Sequence, residues 1–404
     1  MKTWTTSVPM IGVEALLPPL GSVDECARGS APTVIDLRSP AEFAEDHIPG
    51  AHNVPLFDDE GRAIVGLFYK QFSPDAAFQE ARVLAVERIR SLVERIASLV
   101  GPALPAGWGD SADGLEKAVL EATSGGLQRL EQQLEGHRVG DLPSPCVVLH
   151  CWRGGLRSRS VVAFLRALGL ESAVGLEGGY KSYRRHCMEQ IAGWQAPRAF
   201  VLRGLTGVGK TLVLRALERL QPGWVMDLEA HAGHRSSLLG MVGLEPTTQK
   251  GFETRIFERM LAGYPQVVVF EGESRRVGDA TVPESLWNAM QSAQNIELVA
   301  SVERRVQVLL DDYLAEPAAR PQLRAQLAVV EARMEKKVPL VSLFDGGDEP
   351  EVVRQLLKHY YDPLYRHSER GKQYGLMVDA DDSERAAREI ASWIQERISE
   401  FSSG

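Results

Sequence analysis

The tract Gly204-Leu205-Thr206-Gly207-Val208-Gly209-Lys210-Thr211 constrains this chain more than any other. It follows the apolar run Ala199-Phe200-Val201-Leu202 and precedes helical periodicity over residues 212–220. The pattern G-x-x-x-x-G-K-[ST] between a strand and a helix is a phosphate-binding loop. Gly204, Gly207 and Gly209 let backbone N–H groups wrap a diphosphate, the helix N-terminus adds positive potential, and Lys210 supplies a point charge. Thr211 would hold Mg²⁺ if a metal is used. The motif specifies a diphosphate and leaves the rest of the ligand open. An acidic partner is expected at the end of a later strand. Asp227 follows Val225-Met226, and Glu271 and Glu273 follow Val267-Val268-Val269-Phe270. Strands alternating with helices imply a parallel sheet.

A second strand-to-loop junction lies upstream. Cys146-Val147-Val148-Leu149-His150 reads as a buried strand, and it runs into Cys151-Trp152-Arg153-Gly154-Gly155-Leu156-Arg157-Ser158. Gly154 and Gly155 permit a tight turn that aims N–H groups inward. That turn, a helix N-terminus, Arg153 and Arg157 together favour a thiolate at Cys151. The same cradle, with Ser158, suits an incoming anion that hands over sulfur or selenium, leaving a persulfide-type intermediate on Cys151. Cys26, Cys146 and Cys187 have no such loop and read as structural. Four cysteines without a C-x-x-C pair support neither a disulfide framework nor a zinc site, which points to the reducing cytoplasm.

The chain of 404 residues is long enough for two or three domains. Its net charge of −9 argues against bulk attraction to nucleic acid. From Cys151 through Lys210, however, ten Lys or Arg stand against three Glu and no Asp, which suggests an anionic substrate. No apolar run approaches the ~20 residues of a membrane span, and the N-terminus reads as lacking an export signal, so neither is expected.

Further strands are expected over residues 33–37 and 173–176, with a short helix after Pro40. Phe78, Ala81, Ala85, Ile89, Leu92 and Ile96 recur at three- and four-residue steps, predicting an amphipathic helix over 74–100. The Gly/Pro/Asp-rich tract 101–114 reads as an exposed loop, and 115–134 as a second helix. From about Pro283 onward the pattern is mainly helical, with a break at 345–350.

Asp36-Leu37-Arg38-Ser39-Pro40-Ala41-Glu42-Phe43 and His47-Ile48-Pro49-Gly50-Ala51 resemble the early signature of rhodanese domains, whose sulfur-carrying cysteine starts a loop of this kind. Asp36 and His47 read as polar anchors for that loop. The two modules in this order, with their linking tracts, resemble the tRNA 2-selenouridine synthase family. The matching tracts are Gly66-Leu67-Phe68-Tyr69-Lys70, the Cys151 loop, Glu177-Gly178-Gly179-Tyr180-Lys181-Ser182-Tyr183-Arg184, the Lys210 loop, Asp227-Leu228-Glu229, His234-Arg235-Ser236-Ser237, and Glu271-Gly272-Glu273-Ser274-Arg275-Arg276-Val277-Gly278.

The resemblance implies an α/β chain: a rhodanese-like parallel-sheet domain over 1–192 with a helical insertion at about 74–140, and a linker over 193–198. A P-loop NTPase-like α/β domain over 199–300 follows, then a mainly helical region over 301–404 that packs on it. It also implies a reaction. The 2-thio sulfur of the wobble uridine of tRNA is replaced by selenium from selenophosphate, after S-geranylation by geranyl diphosphate, with a selanyl group carried on Cys151. Geranyl diphosphate then suits the Lys210 loop and selenophosphate the Cys151 loop. The tRNA anticodon arm is the expected partner, with a selenophosphate-producing enzyme as a further one. Arg153, Arg157, Lys181, Arg184, Arg185, Arg275 and Arg276 are candidates to face RNA phosphate, and Trp152, Tyr180 or Tyr183 to stack on the splayed base. The sequence departs from the family pattern in its long insertion and at Ser236 and Leu239, where glycine and phenylalanine are expected. Two other readings remain at this point: a sulfurtransferase fused to an ATP- or GTP-hydrolysing domain, and a non-catalytic tRNA-binding protein.

Overall fold

The computed structural model describes residues 7–17, 32–101, 114–140, 145–235, 244–314, 317–334, 336–364 and 371–402. Cys26, most of the 101–114 tract, Ser236 and Leu239 lie outside them. The chain forms two compact units, Met1–Glu189 and Gln190–Gly404.

The first unit is built on six short strands: β1 (Val8–Ile11), β2 (Thr33–Asp36), β3 (His52–Asn53), β4 (Gly136–Arg138), β5 (Val147–His150) and β6 (Ala173–Leu176). They lie side by side in the order β3-β2-β5-β6-β1-β4, all parallel. The central strands are apolar and fully buried, as expected where helices cover both faces of a parallel sheet. Two strands escaped the sequence reading. Pro9 masks β1, because proline argues against a strand interior, and β4 is a short exposed Gly-His-Arg segment with no apolar alternation.

The amphipathic helix predicted over 74–100 is present as Pro74–Val100. Ser73 caps it by accepting from the Ala76 N–H, and Pro74 occupies its first turn. Ile89, Leu92, Val93, Ile96 and Val100 on its C-terminal half are buried in the core, whereas Phe78, Ala81 and Ala85 nearer its start are only partly covered. The single helix expected over 115–134 is two, Leu115–Ala122 and Gly126–Gln133, parted where Gly126 takes φ +80°. The Asp59–Gln71 helix, capped by Asp58, was not anticipated.

The second unit holds a five-stranded parallel sheet. Its strands are β7 (Arg198–Arg203), β8 (Val225–Met226), β9 (Val267–Glu271), β12 (Gln294–Val299) and β13 (Tyr374–Asp379), while β10 (Arg276–Val277) and β11 (Ala280–Thr281) form a separate hairpin. The sheet order is β13-β12-β7-β9-β8. The region after Pro283 is mainly helical, as expected, but it also supplies β12 and β13. Both strands mix polar and apolar residues and are covered unevenly, which hid them from a search for apolar runs. The last helix, Ser383–Ser402, lays Ala386, Ala387, Ile390 and Ile394 against the same core as Leu214 and Leu217 of the Lys210–Leu220 helix.

Candidate functional sites

In each unit the chemistry-bearing residues follow the C-terminal ends of parallel strands, where an open α/β sheet leaves a crevice. Cys151 is the first residue after β5 and is 2% exposed. Its Sγ lies 3.3 Å from Ser158 Oγ, which in turn donates to the Gly155 carbonyl at 3.2 Å. Gly155 is the N-cap of the Leu156–Ala167 helix and brings no capping side chain, so the first-turn N–H groups stay available to an anion. Arg153 is exposed, and Arg157 is partly covered with Nη1 3.9 Å from Glu42 Oε2.

The loop is held by backbone packed on backbone. Gly154 takes φ +63°, and a Cβ there would sit 2.4 Å from the Leu176 carbonyl oxygen. Gly179 takes φ +58°, and a Cβ there would sit 2.3 Å from the Cys151 carbonyl oxygen. The Tyr180 and Lys181 N–H groups donate to the carbonyls of Cys151 and Trp152, both at 2.9 Å. The Glu177–Arg184 tract is therefore a buttress for the cysteine loop.

Tyr180 and Tyr183, read from sequence as base-stacking candidates, are corrected here: both are buried. The Tyr180 hydroxyl donates to Asp46 Oδ2 at 2.5 Å, and the Arg38 guanidinium lies 3.7 Å above its ring. Arg38 donates from Nη2 to Asp36 Oδ2 at 2.6 Å and to the Asp46 carbonyl at 2.8 Å. Burial, then the bond to Asp46, pushes the Tyr180 hydroxyl far above its usual range. Asp36 thus anchors a buried network, and His47 stacks on Phe43 with ring centroids 3.9 Å apart. Trp152 stays partly exposed, its ring 5.3 Å from that of Tyr180. Lys181 and Arg185 are exposed on the Gly179–Gly193 helix, whereas Arg184 turns inward with Nη1 3.9 Å from Asp46 Oδ2. Burial lifts the Cys146 thiol to about 11 and the Cys187 thiol to about 12, in keeping with structural roles.

In the second unit Gly204, Gly207 and Gly209 all take positive φ. A Cβ on Gly204 would meet the Leu298 carbonyl at 2.6 Å, so the loop folds only with glycine there. Lys210 and Thr211 open the following helix and line a cavity of about 370 Å³ with Arg215, Glu271 and Glu273. Thr211 Oγ1 donates to Glu271 Oε1 at 3.2 Å. Glu271 is 1% exposed, and its second oxygen has no hydrogen-bond partner among the described residues. Burial first, then the charges of Glu229 and Glu273, raise its carboxyl well above the usual range, with Lys210 opposing.

Glu229, Glu271 and Glu273 place carboxylate oxygens within 4.8 Å of one another. Glu229 was missed as a site acid, although the Asp227-Leu228-Glu229 tract carries it. Asp227 itself caps the Leu228–Ala232 helix, accepting from the Ala230 N–H at 2.9 Å, and burial raises its carboxyl. A second missed residue is Arg305, 5% exposed. It donates from Nε to the Thr206 carbonyl at 2.9 Å and from Nη2 to Asp362 Oδ1 at 2.5 Å, tying the phosphate loop to the C-terminal helices. Arg275 and Arg276 are exposed at the β10–β11 hairpin, whose Gly278 packs on His234.

A cysteine loop at the end of one parallel sheet and a glycine-rich P-loop at the end of another define a class, rhodanese-like unit joined to P-loop unit. The family models agree in that order: "Rhodanese-like domain" matches residues 22–81 and "tRNA 2-selenouridine synthase AAA domain" matches 197–338. A tRNA 2-selenouridine synthase of Cupriavidus pinatubonensis is 30% identical, over 91% of this chain and 96% of that protein. Proteins of the same description from Bordetella bronchiseptica and Azotobacter vinelandii are each 31% identical, covering 93% and 90% of their own lengths and 88% and 86% of this chain. The chain belongs to the tRNA 2-selenouridine synthase family.

Proposed function

We propose that this chain exchanges the 2-thio sulfur of the tRNA wobble uridine for selenium in two steps, one at each loop. In the first, the thio sulfur attacks C1 of geranyl diphosphate. A carbon–sulfur bond forms, the carbon–oxygen bond breaks, diphosphate leaves and the uridine N3 proton is released. The Lys210 loop, with its N–H groups and ammonium, holds the diphosphate as negative charge grows on it. The alkylated sulfur is the better leaving group. In the second step the Cys151 sulfur attacks C2, the C2–S bond to the prenylated sulfur breaks and geranylthiol leaves with the thiol proton. The selenium of selenophosphate then attacks C2, the bond to Cys151 breaks, and water cleaves the Se–P bond to release phosphate and 2-selenouridine.

The observation that carries this reading is the pairing of sites in one chain: a cysteine beside an uncapped helix N-terminus, and a diphosphate loop facing a buried acid. The residues at the second site also fit Mg²⁺. Thr211 and the unpartnered oxygen of Glu271, with Glu229 or Glu273, would hold it, and it would neutralise charge on the departing diphosphate. No helix of the described residues is long and apolar enough to cross a membrane.

The test is mass spectrometry of wobble nucleosides after thiolated tRNA is incubated with the protein, geranyl diphosphate and selenophosphate. 2-Selenouridine is expected, with S-geranyl-2-thiouridine accumulating when selenophosphate is withheld. A nucleoside unchanged in mass under both conditions refutes the reading.

A further inference from the structure

The long helical insertion has no part in either step as written, yet its residues line a large cavity beside Cys151. That cavity measures about 980 Å³ and counts Cys151 and Trp152 among its lining residues. Its floor is apolar: Phe78, Ala81, Ala85 and Ile89 from the Pro74–Val100 helix, Leu130 from the Gly126–Gln133 helix, and Phe164 from the Leu156–Ala167 helix. Phe78, Ala81 and Ala85 are the residues that the core leaves only partly covered. The charged residues along its wall are of one sign except for Glu131: Arg62, Lys70, Arg82, Arg153, Arg157 and Arg159.

A small, fully ionic donor such as selenophosphate gains nothing from an apolar floor, and a uracil ring has one flat face to cover. An apolar floor under a basic wall instead suits an aliphatic chain borne on a polyanion. We propose, resting on the two-step reading above, that this cavity receives the isoprenoid chain of the S-geranylated nucleoside while the RNA phosphates lie against the basic wall. The chain thereby delivers C2 of the alkylated base to Cys151. Unmodified RNA lacks the chain and gains no such hold. The helical insertion is then the element that selects the alkylated substrate.

The experiment uses the full chain and synthetic anticodon-stem RNAs carrying S-methyl- or S-geranyl-2-thiouridine. The wild-type protein is expected to bind the geranylated RNA at least about tenfold more tightly than the methylated one. Ala85→Phe, which fills the floor, is expected to erase that preference while leaving affinity for the S-methyl RNA in place. Because Ala85→Phe could misfold, a second arm needs no substitution: an RNA whose prenyl chain carries a diazirine is irradiated with wild-type protein. Adducts on peptides spanning residues 74–100 support the proposal. Adducts confined to peptides spanning 204–235, or an unchanged preference in folded Ala85→Phe, overturn it and leave the two-step reading standing. Failure of the wild-type protein to make any S-geranyl nucleoside from geranyl diphosphate removes the two-step reading itself.

Discussion

Gly154 is a residue whose replacement tests the cysteine loop without touching the cysteine. At φ +63°, with the Leu176 carbonyl 2.4 Å from where a Cβ would stand, Gly154→Ala must both strain its own backbone and push the two loops apart. The expected loss is about 1–3 kcal/mol of unfolding free energy, with a changed rate of Cys151 alkylation by iodoacetamide. Wild-type values for both in the variant would remove the buttress from the account. Glu271 offers a pH test. Its folded carboxyl is raised above the ordinary range, so its favourable contribution is complete at pH below that range and is lost as pH climbs through the raised value. Glu271→Gln should therefore gain stability relative to wild type at about pH 8 without Mg²⁺, and little or nothing at about pH 4. Adding MgCl₂ at about pH 8 should raise the melting temperature of wild type and leave the variant unmoved. A Mg²⁺ response equal in both proteins would sink the assignment. Residues such as Cys151, Gly154, Lys210 and Thr211 were legible in sequence because the chemistry demands their type at that spacing. Tyr180 and Tyr183 were misread because whether an aromatic ring is exposed is decided by what packs over it, for Tyr180 Asp46 and Arg38 from a distant stretch of chain.

Among elements, the periodic helix predicted from Pro74 to about Val100 is found at Pro74–Val100, whereas the single helix expected over 115–134 is two and the Asp59–Gln71 helix was not anticipated. The strands lost to sequence reading were short or two-sided: the exposed Gly136–Arg138 strand, the Pro9-bearing first strand, and the mixed polar-apolar β12 and β13. Their place in the sheets is set by parallel neighbours far away in sequence, which no local window contains. Arg305 belongs to this hidden layer. It sits on the Val302–Leu314 helix, 6% exposed at its side chain, and joins the phosphate loop to Asp362. Arg305→Ala leaves Asp362 without its charge partner and the Thr206 carbonyl without its donor. The expected cost is about 3 kcal/mol of stability, read by urea denaturation. Affinity for geranyl diphosphate, read by calorimetry, should fall by about tenfold as the loop loosens. A folded variant with native affinity would show that the loop holds its shape without the C-terminal helices.

At the scale of the whole molecule, the proposed reading divides the labour between two loops at the ends of two separate sheets, and single substitutions test that division. On the proposed reading Lys210→Ala removes the point charge that would meet the diphosphate, so S-geranylation should drop by at least about a hundredfold. It spares the second loop: supplied with RNA already S-geranylated, the variant should still yield 2-selenouridine. Cys151→Ala should give the mirror result, S-geranyl-2-thiouridine accumulating from thiolated tRNA with no selenium incorporated. Mixing the two purified variants then decides whether one chain must hold both sites. If the alkylated RNA is released between steps, the mixture restores 2-selenouridine, because each variant supplies the step the other lacks. If it passes between loops of one chain without release, the mixture stays inactive although each half-reaction proceeds alone. If the apolar floor beside Cys151 receives the isoprenoid chain as proposed, it favours recapture, because a released geranylated RNA carries the feature that cavity would hold. Restoration in the mixture is therefore the expected outcome, and it should be lost when an excess of S-geranylated competitor RNA is added. Loss of both half-reactions in either variant, with the fold intact by circular dichroism, would mean that the chemistry is not divided between these two loops.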